Sequence, residues 1–151
     1  MDGMTDLERL VEIEAIKHMK ARRDYALDTR DWATYEALHA EHHYSHNYGE
    51  ERRDGGKANA EWVAKQLNDK TTVHHSHSPI IELTSRTTAK AIWGMEDNIF
   101  WTNPDGTEGW LQGFGFYHET YEKIDGKWLF TSRSLRRQKI VIDQKPQPLA
   151  N

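Results

Sequence analysis

The stretch TTAKAIWGMEDNIFWT, Thr87–Thr102, reads as one long strand. Successive side chains of a strand point to opposite faces. Its odd positions, Ala89, Ala91, Trp93, Met95, Asp97, Ile99 and Trp101, form a face that is apolar except for one carboxylate. The opposite face carries Lys90, Gly94, Glu96 and Asn98. Working outward, three further segments have the same strand-like character: TVHHSHSPIIELTS, GWLQGFGFYHETYEKI and KWLFTSRSLRRQKIVI. The connections are SRT, NPDGTE and DG, and the pair Asp125-Gly126 is a hairpin signal. A shorter strand is expected in HHYSHNY. The second half is therefore a meander of long antiparallel strands.

The first half has a different period. Thr5 followed three residues on by Glu8 is a capping box, and DLERLVEIEAIKHMKARRDYALDTRD reads as one long helix behind it. Leu10, Ile13, Ile16, Met19 and Leu27 form its apolar stripe. Asp31 caps a second helix in DWATYEALHA, Gly55 and Gly56 mark a turn, and KANAEWVAKQLNDK makes a third helix. Helices followed by strands imply an α+β fold, with three N-terminal helices packed on one face of the sheet. Long strands curl, so the sheet is expected to be strongly curved, mostly antiparallel and cone-shaped, around an interior pocket. The chain reads as a single domain over residues 1–151, with an ordered core at 5–140 and a loose tail at 141–151.

Composition narrows the function. Six Trp, six Tyr and four Phe point to a large apolar interior or pocket. The absence of cysteine removes disulfides, thiolate nucleophiles and Cys-based zinc sites. A net charge of -4 argues against nucleic acid as a partner. No apolar run reaches the roughly 18 residues that a membrane span needs. The N-terminus has no basic start followed by an apolar run, so no signal peptide and a cytoplasmic setting are expected.

A carboxylate on an inward strand face is costly unless paired. One hairpin from Asp97, His74 is the expected partner, and an Asp–His pair in an apolar pocket is an arrangement for a general base. Asp28, near the end of the first helix, can reach the same cavity. In the last strand the odd positions Leu129, Leu135 and Arg137 would share the inward face. His75 and His77 fall on the opposite face from His74, and His42, His43 and His46 cluster upstream. Imidazole clusters bind Zn, Ni or Fe, but His74 and Asp97 are better used as a pair, and no metal and no cofactor are expected.

The segments EAIKHMKARRDYALDTRDW, VHHSHSPIIEL, TTAKAIWGMEDNIF and FYHETYEKIDGKW resemble the SnoaL-like branch of the nuclear transport factor two-like superfamily, over roughly Leu7 to Lys139. Within it, the chain looks like lyases of the bile-acid 7α-dehydratase and scytalone dehydratase types. The resemblance implies a cone-shaped, cystatin-like roll and assembly as a homodimer or homotrimer. It implies a cofactor-independent lyase that eliminates water from a small hydrophobic hydroxylated or carbonyl substrate. Position by position, it casts His74 as base, Asp97 as the carboxylate that orients it, Asp28 as a pocket acid and Arg137 as a pocket arginine. Arg23 and His46 stand where dehydratases of this kind carry tyrosines, and Tyr25 and Tyr44 lie nearby. With Trp93 and Met95 these residues make up the expected substrate contacts. The alternatives are an isomerase or cyclase on the same pocket, or a non-catalytic binding or partner subunit.

Overall fold

The computed structural model describes residues 3–47 and 50–149, so Tyr48, at the end of the expected short strand, and the last two tail residues lie outside it. Helix α1 spans Asp6–Asp28. Its capping box is closed: the Thr5 hydroxyl accepts from the Glu8 amide at 3.2 Å, and the Glu8 carboxylate accepts from the Thr5 amide at 2.6 Å. Asp31 caps α2, Trp32–Ala37, by accepting from the Thr34 amide. The second helix stops short of its expected end because the Leu38 carbonyl accepts from the Phe130 amide and β1, His39–Ser45, joins the sheet there. Strand β2, Arg53–Asp54, and helix α3, Gly56–Leu67, complete the first half.

Strands β3, Thr71–Leu83, β4, Thr88–Thr102, β5, Glu108–Ile124, and β6, Lys127–Ile142, form the meander. Asp125 and Gly126 turn the β5–β6 hairpin at φ 50° and 77°. The strand order is β2-β1-β6-β5-β4-β3, and among the described residues only the β1–β6 pairing is parallel. The result is the expected α+β architecture: helices on a curved, mostly antiparallel sheet that stays open. The tail is not wholly loose, since Lys145–Gln147 folds back as β7 against Ile140–Ile142.

Among the register irregularities of the sheet, one in β3 and one in β6 reset the alternation of faces that the sequence implies. In β3, Ser78 and Pro79 interrupt the register between His77 and Ile80, with Ser78 at φ 40°. Thr72 and His74 face inward before the break, and Ile81 and Leu83 pack inward after it. In β6, Thr131 is the extra residue between the pairs Tyr121–Phe130 and Thr120–Ser132. Even positions Trp128 and Phe130 are buried before it, and odd position Leu135 after it. The expectation that Leu129 shares the inward face is therefore corrected, whereas Arg137 lies beyond the bulge and does face inward.

The core joins Ile16 and Met19 of α1 to Trp93, Met95, Tyr117, Tyr121, Trp128, Phe130 and Leu135 of the sheet. The start of the expected helix stripe is not part of it: Leu10 is 60% exposed. Full burial on α1 begins at Ile16, after Glu12 has bonded to Lys123 and Trp128 of the sheet, and the buried face includes Lys20, Arg23 and Asp24.

Candidate active site

The end of α1 and the start of β3 meet through Asp28. Its Oδ1 lies 2.6 Å from His74 Nδ1, its Oδ2 accepts from the His74 amide at 2.8 Å, and its Oδ1 also accepts from the Thr72 hydroxyl at 2.9 Å. Arg30, just past the helix, donates to the Leu27 carbonyl, the Thr72 hydroxyl and the Lys70 carbonyl, tying the loop to β3. A carboxylate only accepts, so the proton in the Asp28–His74 contact belongs to Nδ1. Nε2 is left with its lone pair, and no hydrogen bond among the described residues engages it. His74 is 9% exposed, while the Asp28 side chain is 23% exposed, so the pair sits at the rim of the interior.

Asp97 lies opposite His74 in the β3–β4 register and is buried as expected. The expected His74–Asp97 hydrogen bond is not formed. Asp97 is instead gripped by Arg137, whose Nη1 and Nη2 donate to its two oxygens at 2.9 Å each. Burial raises the Asp97 carboxyl pKa, but the Arg137 hydrogen bonds and charge outweigh it and hold it below the usual carboxylate range. The physical reason for this pairing lies in β5, the strand between them. Gly113 pairs with Asp97, and Gly115 pairs with both Met95 and Arg137. A Cβ on Gly113 would overlap the guanidinium and the Asp97 carboxylate, and one on Gly115 would strike the Arg136–Arg137 backbone. The bare inner face of β5 lets Arg137 reach across it. The signal for this was the Gly-x-Gly of LQGFGFY, which reads from sequence as ordinary sheet packing.

Behind the pair, the interior is ionic as well as aromatic. Asp24 accepts from the Ser76 hydroxyl at 2.6 Å and from Arg23 at 3.1 Å. Burial alone would raise its pKa, but Lys20 and Arg23 lower it more. Arg23 is fully buried and also donates to the Tyr35 hydroxyl at 3.0 Å. Lys20 donates to Glu119 at 2.6 Å, and Tyr121 donates to the other Glu119 oxygen at 2.7 Å while accepting from Trp93 Nε1. Burial pushes the Lys20 ammonium down to about 8, with Glu119 only partly restoring it.

The expected substrate contacts divide. Arg137, Arg23, Trp93 and Met95 belong to the inner side. Tyr25 is 73% exposed on α1 and faces solvent. Tyr44 and His46 line a groove of about 530 Å³ with Ile80, Ile92 and His118. Tyr44 also carries the Arg52 guanidinium over its ring at 4.1 Å. In β1 the inward positions are His43 and Ser45, so Tyr44 falls on the face away from His74. Strand parity could have shown this for Tyr44, and the structure does not bring Tyr25, Tyr44 or His46 to the inner side.

A candidate scytalone dehydratase from Novosphingobium aromaticivorans DSM 12444 superposes with a TM-score of 0.81 at 26% identity, over 97% of this chain and 95% of that one. A hexachlorocyclohexane dehydrochlorinase, LinA type 2, superposes at 0.80 with 17% identity, over 95% and 94% of the two chains. LinA type 3 from Novosphingobium barchaimii LL02 does so at 0.75 with 18% identity, over 97% and 96%. The SnoaL-like domain family matches residues 8–134. With a helical N-terminus on an open curved sheet, and with that match covering most of its length, the chain belongs to the SnoaL-like family of nuclear transport factor two-like proteins.

Proposed function

We propose that this chain is a small-molecule lyase of the dehydratase kind, with His74 as its general base and no cofactor in the step. The observation that carries the reading is the Asp28–His74 contact of 2.6 Å at the rim of the interior, which fixes the imidazole with Nε2 uncommitted. Nε2 takes a proton from a carbon next to a carbonyl. The electron pair of that C–H bond becomes the new C=C bond, and the hydroxyl on the adjacent carbon leaves. The proton held by the imidazole passes to the departing hydroxyl, so water and an unsaturated carbonyl compound are the products. Arg137 spends two N–H groups on Asp97 and keeps three for the developing oxyanion. The substrate is a small hydrophobic hydroxylated carbonyl compound, in keeping with the aromatic interior around Trp93 and Met95. The names of the dehydratase and dehydrochlorinase neighbours, both of which describe eliminations, support the same class.

Self-association as a dimer or trimer is part of this reading, supported by Ile80, Ile92 and Phe116 left exposed on the outer side. The test is turnover of a panel of β-hydroxy ketones and acids by the wild type and His74→Ala, with product identification. Elimination lost in the variant supports the reading, and equal turnover in both removes His74 from the chemistry. A rearranged product of unchanged mass would instead make the enzyme an isomerase.

A further inference from the structure

His75 and His77 are exposed on β3, on the face opposite His74, and Glu96 faces them from β4 in register with His75. One ligand atom from each of the three lies within 4.8 Å of the other two, and His77 Nε2 stands 4.0 Å from a Glu96 oxygen. The imidazole rings are 5.9 Å apart at 72°, so their nitrogens can converge on one point. Residues two apart on a strand share a face, and Gly94, the register partner of His77, puts no side chain between the ring and Glu96. Ligand atoms around a tetrahedral zinc ion stand about 3.3 Å apart, given metal–ligand bonds of about 2.0–2.1 Å. Side-chain rotation at these solvent-facing positions closes the difference.

We infer that His75, His77 and Glu96 form a binding site for a first-row divalent cation of the zinc class, on the outer face of the sheet and separate from the proposed catalytic pair. This departs from the expectation that the chain takes no metal. Two imidazoles and one carboxylate select zinc-like ions over magnesium or calcium, which favour oxygen-only sets. Three ligands on one side leave the remaining positions to water. The ion would link β3, an edge strand of the sheet, to β4 at the residues directly adjoining His74 and Asp97. Its effect is therefore to fasten the strand pair that carries the interior groups.

The test uses the full chain without an affinity tag, stripped with chelator and titrated with ZnCl2 by calorimetry, alongside thermal unfolding with and without the ion. The site requires one Zn2+ per chain beyond what the double variant His75→Gln/His77→Gln binds, and a rise in Tm with zinc that the double variant lacks. Glu96→Gln should weaken binding about tenfold or more, and MgCl2 should produce neither heat nor Tm shift. Should the double variant not fold, His77→Gln alone serves for the comparison. Equal zinc stoichiometry and affinity in the histidine variant, or unchanged affinity in Glu96→Gln, overturns the site. Elimination activity is not read, so the result is independent of the proposed lyase chemistry.

Discussion

At His74, a single proton decides what the ring can do. With Asp28 accepting from Nδ1, the backbone amide and Thr72, the carboxylate fixes both the tautomer and the orientation of the ring. In Asp28→Asn the amide group can turn an N–H toward Nδ1 and favour the other tautomer. Turnover should fall about 10²- to 10⁴-fold while far-ultraviolet circular dichroism stays unchanged, and steady-state rates on the best substrate check it. Arg137→Met makes a different demand. Asp97, 3% exposed, would lose the two charged hydrogen bonds that hold it ionised. Removing one partner of a buried ion pair costs about 3 kcal/mol, and the partial exposure of Arg137 places the expected loss toward about 2. Urea unfolding at neutral pH measures it, and an unchanged midpoint would show that Asp97 finds other support. At this scale the residue types of the site were legible but their pairing was not. Parity places His74 and Asp97 on one inward face, yet no local pattern tells which carboxylate reaches the imidazole when one comes from a helix end and the other from a strand.

Among the elements, those with strong local signals were the most readable. The capping box at Thr5 and Glu8, the Asp31 cap and the Asp125-Gly126 turn all form as their residue types imply. Where tertiary contacts override local preference, the reading slips. The α1 stripe predicts burial at Leu10, but burial begins at Ile16 and takes in Lys20, Arg23 and Asp24, because Glu119 on β5, Tyr35 on α2 and the Ser76 hydroxyl on β3 satisfy them. In β6 the bulge at Thr131 reverses parity, so Trp128 rather than Leu129 packs inward. The least legible feature was the glycine-spaced inner face of β5. Its role is open to test with Gly113→Val. The new side chain would occupy the space of the Arg137 guanidinium and the Asp97 carboxylate and drive the two apart. The expected outcome is a loss of stability of about 2–3 kcal/mol, together with lost turnover. In the double variant Gly113→Val/Arg137→Met most of the added cost should disappear, because the clash and the pair are one interaction. Additive losses in the two-variant cycle would show that Gly113 serves something else.

Over the whole molecule, the aromatic composition made a filled interior legible, but not its charges. The aromatic cluster of Trp93, Tyr117, Tyr121 and Phe130 surrounds the Lys20–Glu119 pair, and two β1 histidines, His39 and His43, sit against Phe130 with no carboxylate partner among the described residues. His43 Nδ1 donates to the Phe130 carbonyl and Nε2 accepts from Ser45, which satisfies the neutral ring and leaves no place for a second proton. Burial pushes His43 down to about 4 from an ordinary 6.5, and burial together with the Arg23 charge pushes His39 well below 6.5. Between those two pH values the unfolded chain takes up the proton that the folded chain refuses, so acid favours unfolding through that window. Asp24 and Asp97 have depressed values in the fold, so their contribution is present above the unfolded carboxylate pKa and disappears only at lower pH. The first loss on acidification therefore belongs to the histidines. For His43 the 2.5-unit difference between 6.5 and about 4 corresponds to about 3 kcal/mol by the time the lower value is reached. Urea midpoints taken from about pH 7.5 down to about 4.5 should fall steadily below about 6.5 in the wild type. His43→Asn keeps an N–H for the Phe130 carbonyl but cannot titrate. It should start lower at neutral pH and fall less steeply, and equal slopes in the two proteins would remove His43 as the source of the acid sensitivity.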